Sequence, residues 1–104
     1  MSIADRTRAD LAAAGYEAAA EPIRYFESTG FFVEPSPVYN DAARVTVTAK
    51  FTSQDKYDQW NEARRLAYRL QNALIAAGYA FEDEDGVEPN CVFHAFPDCY
   101  PTQG

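Results

Sequence analysis

Residues 79–104 contain neither lysine nor arginine, although they carry six carboxylates. A segment so short of positive charge cannot supply the basic footprint that phosphate binding needs, which argues against direct DNA or RNA binding. Cysteine is also scarce: Cys91 and Cys99 are the two present, too few for a disulfide-built scaffold. Long apolar runs are missing as well. The stretch Leu74-Ile75-Ala76-Ala77 falls far short of the roughly 20 residues that cross a bilayer. The first residues, MSIADRTRAD, have no apolar run behind their charges, so no secretory leader is expected. The expectation is a cytoplasmic protein with reduced thiols and no membrane partner. Gly-rich phosphate loops, nucleophile elbows and dinucleotide fingerprints do not occur, so neither an enzyme nor a cofactor is expected.

Apolar and aromatic residues, by contrast, are plentiful. They make up 47% and 14% of the 104 residues, the aromatics being seven Tyr, seven Phe and one Trp. That is enough to build one core, so residues 1–104 are read as a single domain.

Hydrophobic periodicity divides the chain into elements. Ser2-Ile3-Ala4-Asp5 reads as a helix start, with Ser2 capping and Asp5 favoured by the helix dipole. The helix carries a thin apolar line, Ile3, Leu11 and Ala14, and stops at Gly15. Thr52-Ser53-Gln54-Asp55 opens a longer helix. Its stripe is Tyr57, Trp60, Ala63, Ala67, Leu70, Leu74 and Ala77, at spacings of three and four, and it stops at Gly78. Both helices finish in Ala-Ala-Gly-Tyr, at residues 13–16 and 76–79; this is shared helix-stop chemistry, too short for a repeat.

Between the helices, residues 44–51 alternate, with Val45, Val47, Ala49 and Phe51 on one face and Arg44, Thr46, Thr48 and Lys50 on the other. That is a strand with one buried face. Residues 23–27 and 31–34 are predicted as two earlier strands, after which Pro35 and Pro37 keep the chain extended. Residues 79–82 and 91–96 are predicted as a last hairpin. The predicted fold is α+β, in the order α-β-β-β-α-β-β: an antiparallel sheet of four to five strands with two helices packed on one face.

The acids Glu82, Asp83, Glu84 and Asp85 are expected in the turn of that hairpin, with Gly86 at its bend. Residues 1–51 carry seven acids and five bases, residues 52–78 three and four, and residues 79–104 six and none. The segments contribute −2, +1 and −6 to the net charge of −7. Four adjacent carboxylates repel one another unless a cation or water screens them, and concentrated charge of one sign suits docking on a basic partner.

Other constellations have plainer readings. Cys91, His94, Asp98 and Cys99 offer zinc-binding donors, but the Cys-x2-His-x4-Cys spacing fits no standard zinc pattern, and Cys91 and His94 point to opposite faces of a strand. No metal is therefore assigned, and nothing orients a Cys–His nucleophilic pair. Asp83, Asp85 and Glu88 stand near a glycine without the calcium-loop order. Arg64, Arg65 and Arg69 read as a solvated helix face, with Glu62 the partner of Arg65. Tyr25, Phe26, Phe31, Phe32 and Tyr39 crowd the early strands. Phe31 and Phe32 must point to opposite sides, so one of them is off the main core and available as an interface anchor. A homodimer is the natural cover for a sheet face that no helix protects.

A compact, acidic, aromatic-rich chain of this kind resembles the small proteins of phages and other mobile elements, including inhibitors that occupy basic nucleic-acid sites. The order of elements is also similar to that of small phage tail-assembly proteins. The first resemblance implies a protein-binding inhibitor or decoy, a nucleic-acid mimic that docks on a basic, for example nucleic-acid-binding, protein. The concentrated acids and the aromatic pair make Glu82, Asp83, Glu84, Asp85 and Glu88, with Phe31 and Phe32, the expected partner-binding residues. The second implies a structural subunit that self-associates through an aromatic sheet face.

Overall fold

The computed structural model describes residues 2–22, 28–50, 56–84 and 91–97, with the backbone alone at Lys56 and Tyr57. Helix α1 spans Ile3–Ala13 and α2 spans Lys56–Ala76. The strands are β1 (Gly30–Pro35), β2 (Ala43–Thr48), β3 (Ala80–Glu84) and β4 (Cys91–Phe96). They form one antiparallel sheet in the order β1-β2-β4-β3. The structure shows the predicted α+β class, with two helices and, among the described residues, an antiparallel sheet of four strands, within the four to five expected. The strand predicted over residues 23–27 and the helix start at residues 52–55 lie outside the described residues.

Local chemistry sets the helix ends. The Ser2 hydroxyl accepts from the backbone N–H of Asp5 at 3.1 Å, satisfying one of the amides left unpaired at a helix start. Hydrogen bonds from Ser2 and then Arg8 hold the Asp5 carboxyl below its ordinary range. At the other end, Gly15 takes φ 97° and Gly78 takes φ 94°, a region that glycine enters without strain. The N–H of Tyr16 then reaches the carbonyl of Leu11, and that of Tyr79 the carbonyl of Leu74, both at 2.9 Å. With Gly15 bonded to Ala12 and Gly78 to Ile75 at 3.0 Å, each end is a complete Schellman motif. The repeated Ala-Ala-Gly-Tyr is therefore one device used twice, with its tyrosine packed on the core.

Both helices lie on one face of the sheet, over Phe31, Val33, Ala43, Val45, Val47, Phe93 and Ala95. From α2 they meet Ala63, Ala67, Leu70 and Leu74, all buried; burial of such side chains is worth about 1.5–3 kcal/mol each for the larger ones. Trp60, expected in that stripe, is half-buried, and Ala77 is exposed. From α1 the buried residues are Ala4, Thr7 and Leu11 rather than Ile3 and Ala14. Thr7 can be buried because its hydroxyl donates to the Ile3 carbonyl at 2.8 Å.

Connectivity decides which strands are central. The chain leaves β2, crosses through α2 to the far edge as β3, and returns as β4 between β2 and β3. The last described strand is thus an inner one, and Val92, Phe93, His94 and Ala95 are all buried, on both faces of the sheet. The two edges differ. The outer side of β1 is engaged: the N–H of Ala19 donates to the Phe31 carbonyl at 2.9 Å, and Arg8 donates to the Val33 carbonyl at 2.9 Å. Beyond β3, no further strand pairs among the described residues.

Candidate functional site

Glu82, Asp83 and Glu84 do not lie in a hairpin turn, as the run of acids suggested; they are the last three residues of β3. The strand pairs Glu82 with His94, Asp83 with Phe93 and Glu84 with Val92. Because side chains alternate along a strand, Glu82 and Glu84 stand on the face away from the helices, and Asp83 on the helix face. This alternation separates the carboxylates, and each finds a partner inside the protein. Asp83 accepts from Gln71 Nε2 of α2 at 3.0 Å. Glu82 accepts from the Tyr39 hydroxyl; that hydrogen bond, with burial and the carboxylate charge, pushes the Tyr39 phenol above its ordinary pKa. Glu84 accepts from Arg44 Nη2 at 2.9 Å and faces His94 Nε2 at 3.0 Å. Burial alone raises the Glu84 carboxyl, but the bond and charge of Arg44, followed by the hydrogen bond of His94, outweigh it and hold it below its ordinary range. Glu82 and Asp83 remain exposed. Asp85 and Glu88 lie outside the described residues.

On the face opposite the helices, the register lines up Glu34, Arg44, His94 and Glu82 across all four strands. Residues 36–42 fold back over this row, closed by the bond from the Ser36 N–H to the Ala42 carbonyl at 3.1 Å. Their contacts bury His94 to 3% exposure on the face that no helix covers. The Tyr39 ring stands edge-on to His94, with centroids 5.3 Å apart, and to Phe96 at 5.1 Å. Ser36 Oγ lies 3.0 Å from His94 Nδ1. The same oxygen accepts from the backbone N–H groups of Val38 at 3.1 Å and Tyr39 at 3.0 Å. Those two bonds occupy both lone pairs of the hydroxyl, so its proton goes to Nδ1. His94 Nδ1 is then the acceptor, and the ring hydrogen on Nε2 is donated to Glu84.

Serine, histidine and carboxylate in hydrogen-bonded series is the arrangement acyl-transfer enzymes use. Here Ser36 Oγ has no lone pair left with which to attack, and the ring it faces is buried. The geometry makes the series a lock that holds residues 36–39 onto the sheet. Neither Ser36 nor Arg44 had a sequence signal pointing to it. Ser36 sits between two prolines, a turn context, and Arg44 appeared as one polar position of an alternating strand.

Between this loop and β3 lies an open cleft of about 430 Å³, with Pro37, Val38 and Tyr39 on one side and Glu82, Asp83 and Glu84 on the other. Among the described residues, Arg44 is the one lysine or arginine that lines it, and it is already paired with Glu84 and lies 3.8 Å from Glu34. The cleft therefore presents net negative charge beside an apolar wall.

The remaining candidates are placed as follows. Phe31 is buried on the helix face, and Phe32 is half-buried on the other. Cys91 shares the helix face with Val47, opposite His94, and is in no disulfide; Asp98 and Cys99 lie outside the described residues. Among the described residues, no three His, Cys, Asp or Glu side chains gather where they could hold a metal ion, and no helix is long and apolar enough to cross a membrane. Arg65 pairs with Glu62 at 3.6 Å, while Arg64 stacks over Trp60 at 4.5 Å and over Tyr68 at 5.3 Å, a cation–π ladder along α2. No protein-family model, curated protein or solved structure matches this chain.

Proposed function

We propose that this is a non-enzymatic protein-binding module that docks on a basic partner through its acid-bearing strand β3 and the acidic residues that follow it. The observation that carries this reading is the placement of Glu82 and Asp83, exposed on the outermost strand, within a segment of six acids and no base. Carboxylates held on a rigid strand make a fixed negative field, which steers and orients a cationic partner. Docking in the anion groove of a nucleic-acid-binding protein makes the module a competitor for phosphate, and so an inhibitor or decoy.

The alternative, an assembly subunit that self-associates through an aromatic sheet face, has less support. Phe31 is spent in the core, and residues 36–42 already cover part of the face that self-association needs.

The test is affinity capture on two columns, one carrying the wild type and one the Glu82→Gln/Asp83→Asn variant, loaded with lysate of the source cell and eluted with a salt gradient. Basic proteins retained by the wild type and lost from the variant column support the proposal. The same retained set on both columns overturns it.

A further inference from the structure

We infer that the outer edge of β3 takes up an extended segment of the partner as a fifth strand, and that this segment alternates Lys or Arg with apolar residues. The inference rests on the docking proposed above and specifies its mode.

The first support is the edge itself, beyond which no strand pairs among the described residues. In an antiparallel ladder, the N–H and C=O of one residue point to the same side, and the side alternates along the strand. Phe31 and Val33 direct their carbonyls outward from β1, to Ala19 and Arg8. Following the alternation through the continuous registers of β1 with β2, β2 with β4 and β4 with β3 turns the backbones of Phe81 and Asp83 outward on β3. Outward groups of this kind, which no described residue pairs, are a template for strand addition. Natural edges are usually covered, as β1 is here.

The second support is independent of charge. Among the described residues, the large apolar side chains that stand exposed are Val38 at 68%, Tyr68 at 51% and Ile75 at 53%. Val38 lines the cleft beside Glu82 and Glu84. Tyr68 and Ile75 share a flank of α2 with Gln71, the residue bonded to Asp83. At 3.6 residues per turn, Trp60, Arg64, Tyr68, Gln71 and Ile75 fall within about 80° of the helix circumference. One side of the β3 edge is therefore an acidic cleft with an apolar wall, and the other is an aromatic and aliphatic shelf.

An added strand puts alternate side chains on these two sides. On the cleft side, a Lys or Arg stem can lie along Pro37 and Val38 with its charged head on Glu82 and Glu84. On the shelf side, Arg64 disfavours a second cation, while Tyr68 and Ile75 favour an apolar residue. A second copy of this chain does not fit: pairing β3 with β3 sets Glu82, Asp83 and Glu84 against their own kind.

The test uses two probes on the full-length protein: a short peptide of alternating Lys and Val, and oligolysine. The alternating peptide is expected to bind, to slow amide exchange at Phe81 and Asp83, and to lose about tenfold in affinity with the Val38→Ser/Ile75→Ser variant, whose melting curve reports that it is folded. Oligolysine is expected to bind more weakly and to lose less affinity with the variant, since it puts no apolar residue on the Ile75 side. Equal binding of the two probes with no slowing at Phe81 and Asp83 overturns strand addition while leaving acidic docking in place. Failure of both probes to bind, at low salt as well as high, overturns both.

Discussion

The hydroxyl of Tyr79, the first residue past the stop of α2, donates to the carboxylate of Asp10 on α1, 69 residues earlier in the chain. The Schellman turn that ends α2 aims this side chain, and the bond ties the two helices together where each ends. Burial first, and then the Asp10 carboxylate, push the Tyr79 phenol from 10.0 up to about 12. A raised pKa means that the folded state holds the proton more tightly than the unfolded chain. The contribution to stability is therefore complete below pH 10 and is lost as pH rises from there toward 12. Tyr79→Phe should cost about 1 kcal/mol at neutral pH. Denaturant midpoints of wild type and variant should converge as pH is raised above 10; a constant gap would mean that the bond does not form.

The two glycine stops give a cleaner conformational test. A Cβ added at Gly15 or Gly78 meets nothing within 4 Å, so the penalty for Gly78→Ala comes from the left-handed backbone alone, about 1–2 kcal/mol. Gly78→Asn should cost less, because asparagine tolerates that region. Thermal denaturation of the two variants should rank them in this order. Equal losses would point to a packing cost that the open surroundings do not show.

Substitution of the core tests how far the sequence could be read. The alternation of Val45, Val47 and their neighbours, the three-four spacing of Ala63, Ala67, Leu70 and Leu74, and the repeated stop motif each report local geometry, and each came through intact. Trp60 did not. Hydrophobic spacing places it in the stripe, yet it sits at the border, where Arg64 covers its ring. Phe93, with 0% exposure, is the larger anchor, and its place in an inner strand depends on β4 returning between β2 and β3. Strand order is long-range information that periodicity does not carry. Phe93→Ala should cost about 3–5 kcal/mol, and Trp60→Ala clearly less, by chemical denaturation. The reverse ranking would move the core boundary.

The covered histidine was equally hidden, because its partners Ser36, Tyr39, Arg44 and Glu84 come from three separate segments. Removing the Ser36 hydroxyl leaves His94 Nδ1 and the N–H groups of Val38 and Tyr39 without their partner. Ser36→Ala should therefore cost about 1–3 kcal/mol, the penalty for a buried acceptor, His94 Nδ1, left unsatisfied. Hydrogen exchange gives the specific readout: the Val38 and Tyr39 amides should exchange markedly faster, while those of the core strands slow and quicken only with global stability. Unchanged protection at Val38 and Tyr39 would show that the loop is held by its rings alone.

Adjacent carboxylates that look alike in sequence should behave differently once split between strand faces. Asp83 is exposed and held by one amide, so Asp83→Asn should change stability by less than about 1 kcal/mol. Glu84 is half-buried between Arg44 and His94, and its loss uncouples both, so Glu84→Gln should cost about 1–3 kcal/mol. Its carboxyl lies below the ordinary 4.5 in the folded protein. The folded state thus favours the ionised form, and the stabilisation it gives is complete above the unfolded value and disappears as pH falls through the folded one. Acid unfolding monitored by circular dichroism should show wild type and Glu84→Gln converging at low pH, with Asp83→Asn tracking the wild type throughout. If Asp83→Asn proved the more damaging change, the ion pair on the sheet face would not be what holds β3 in register.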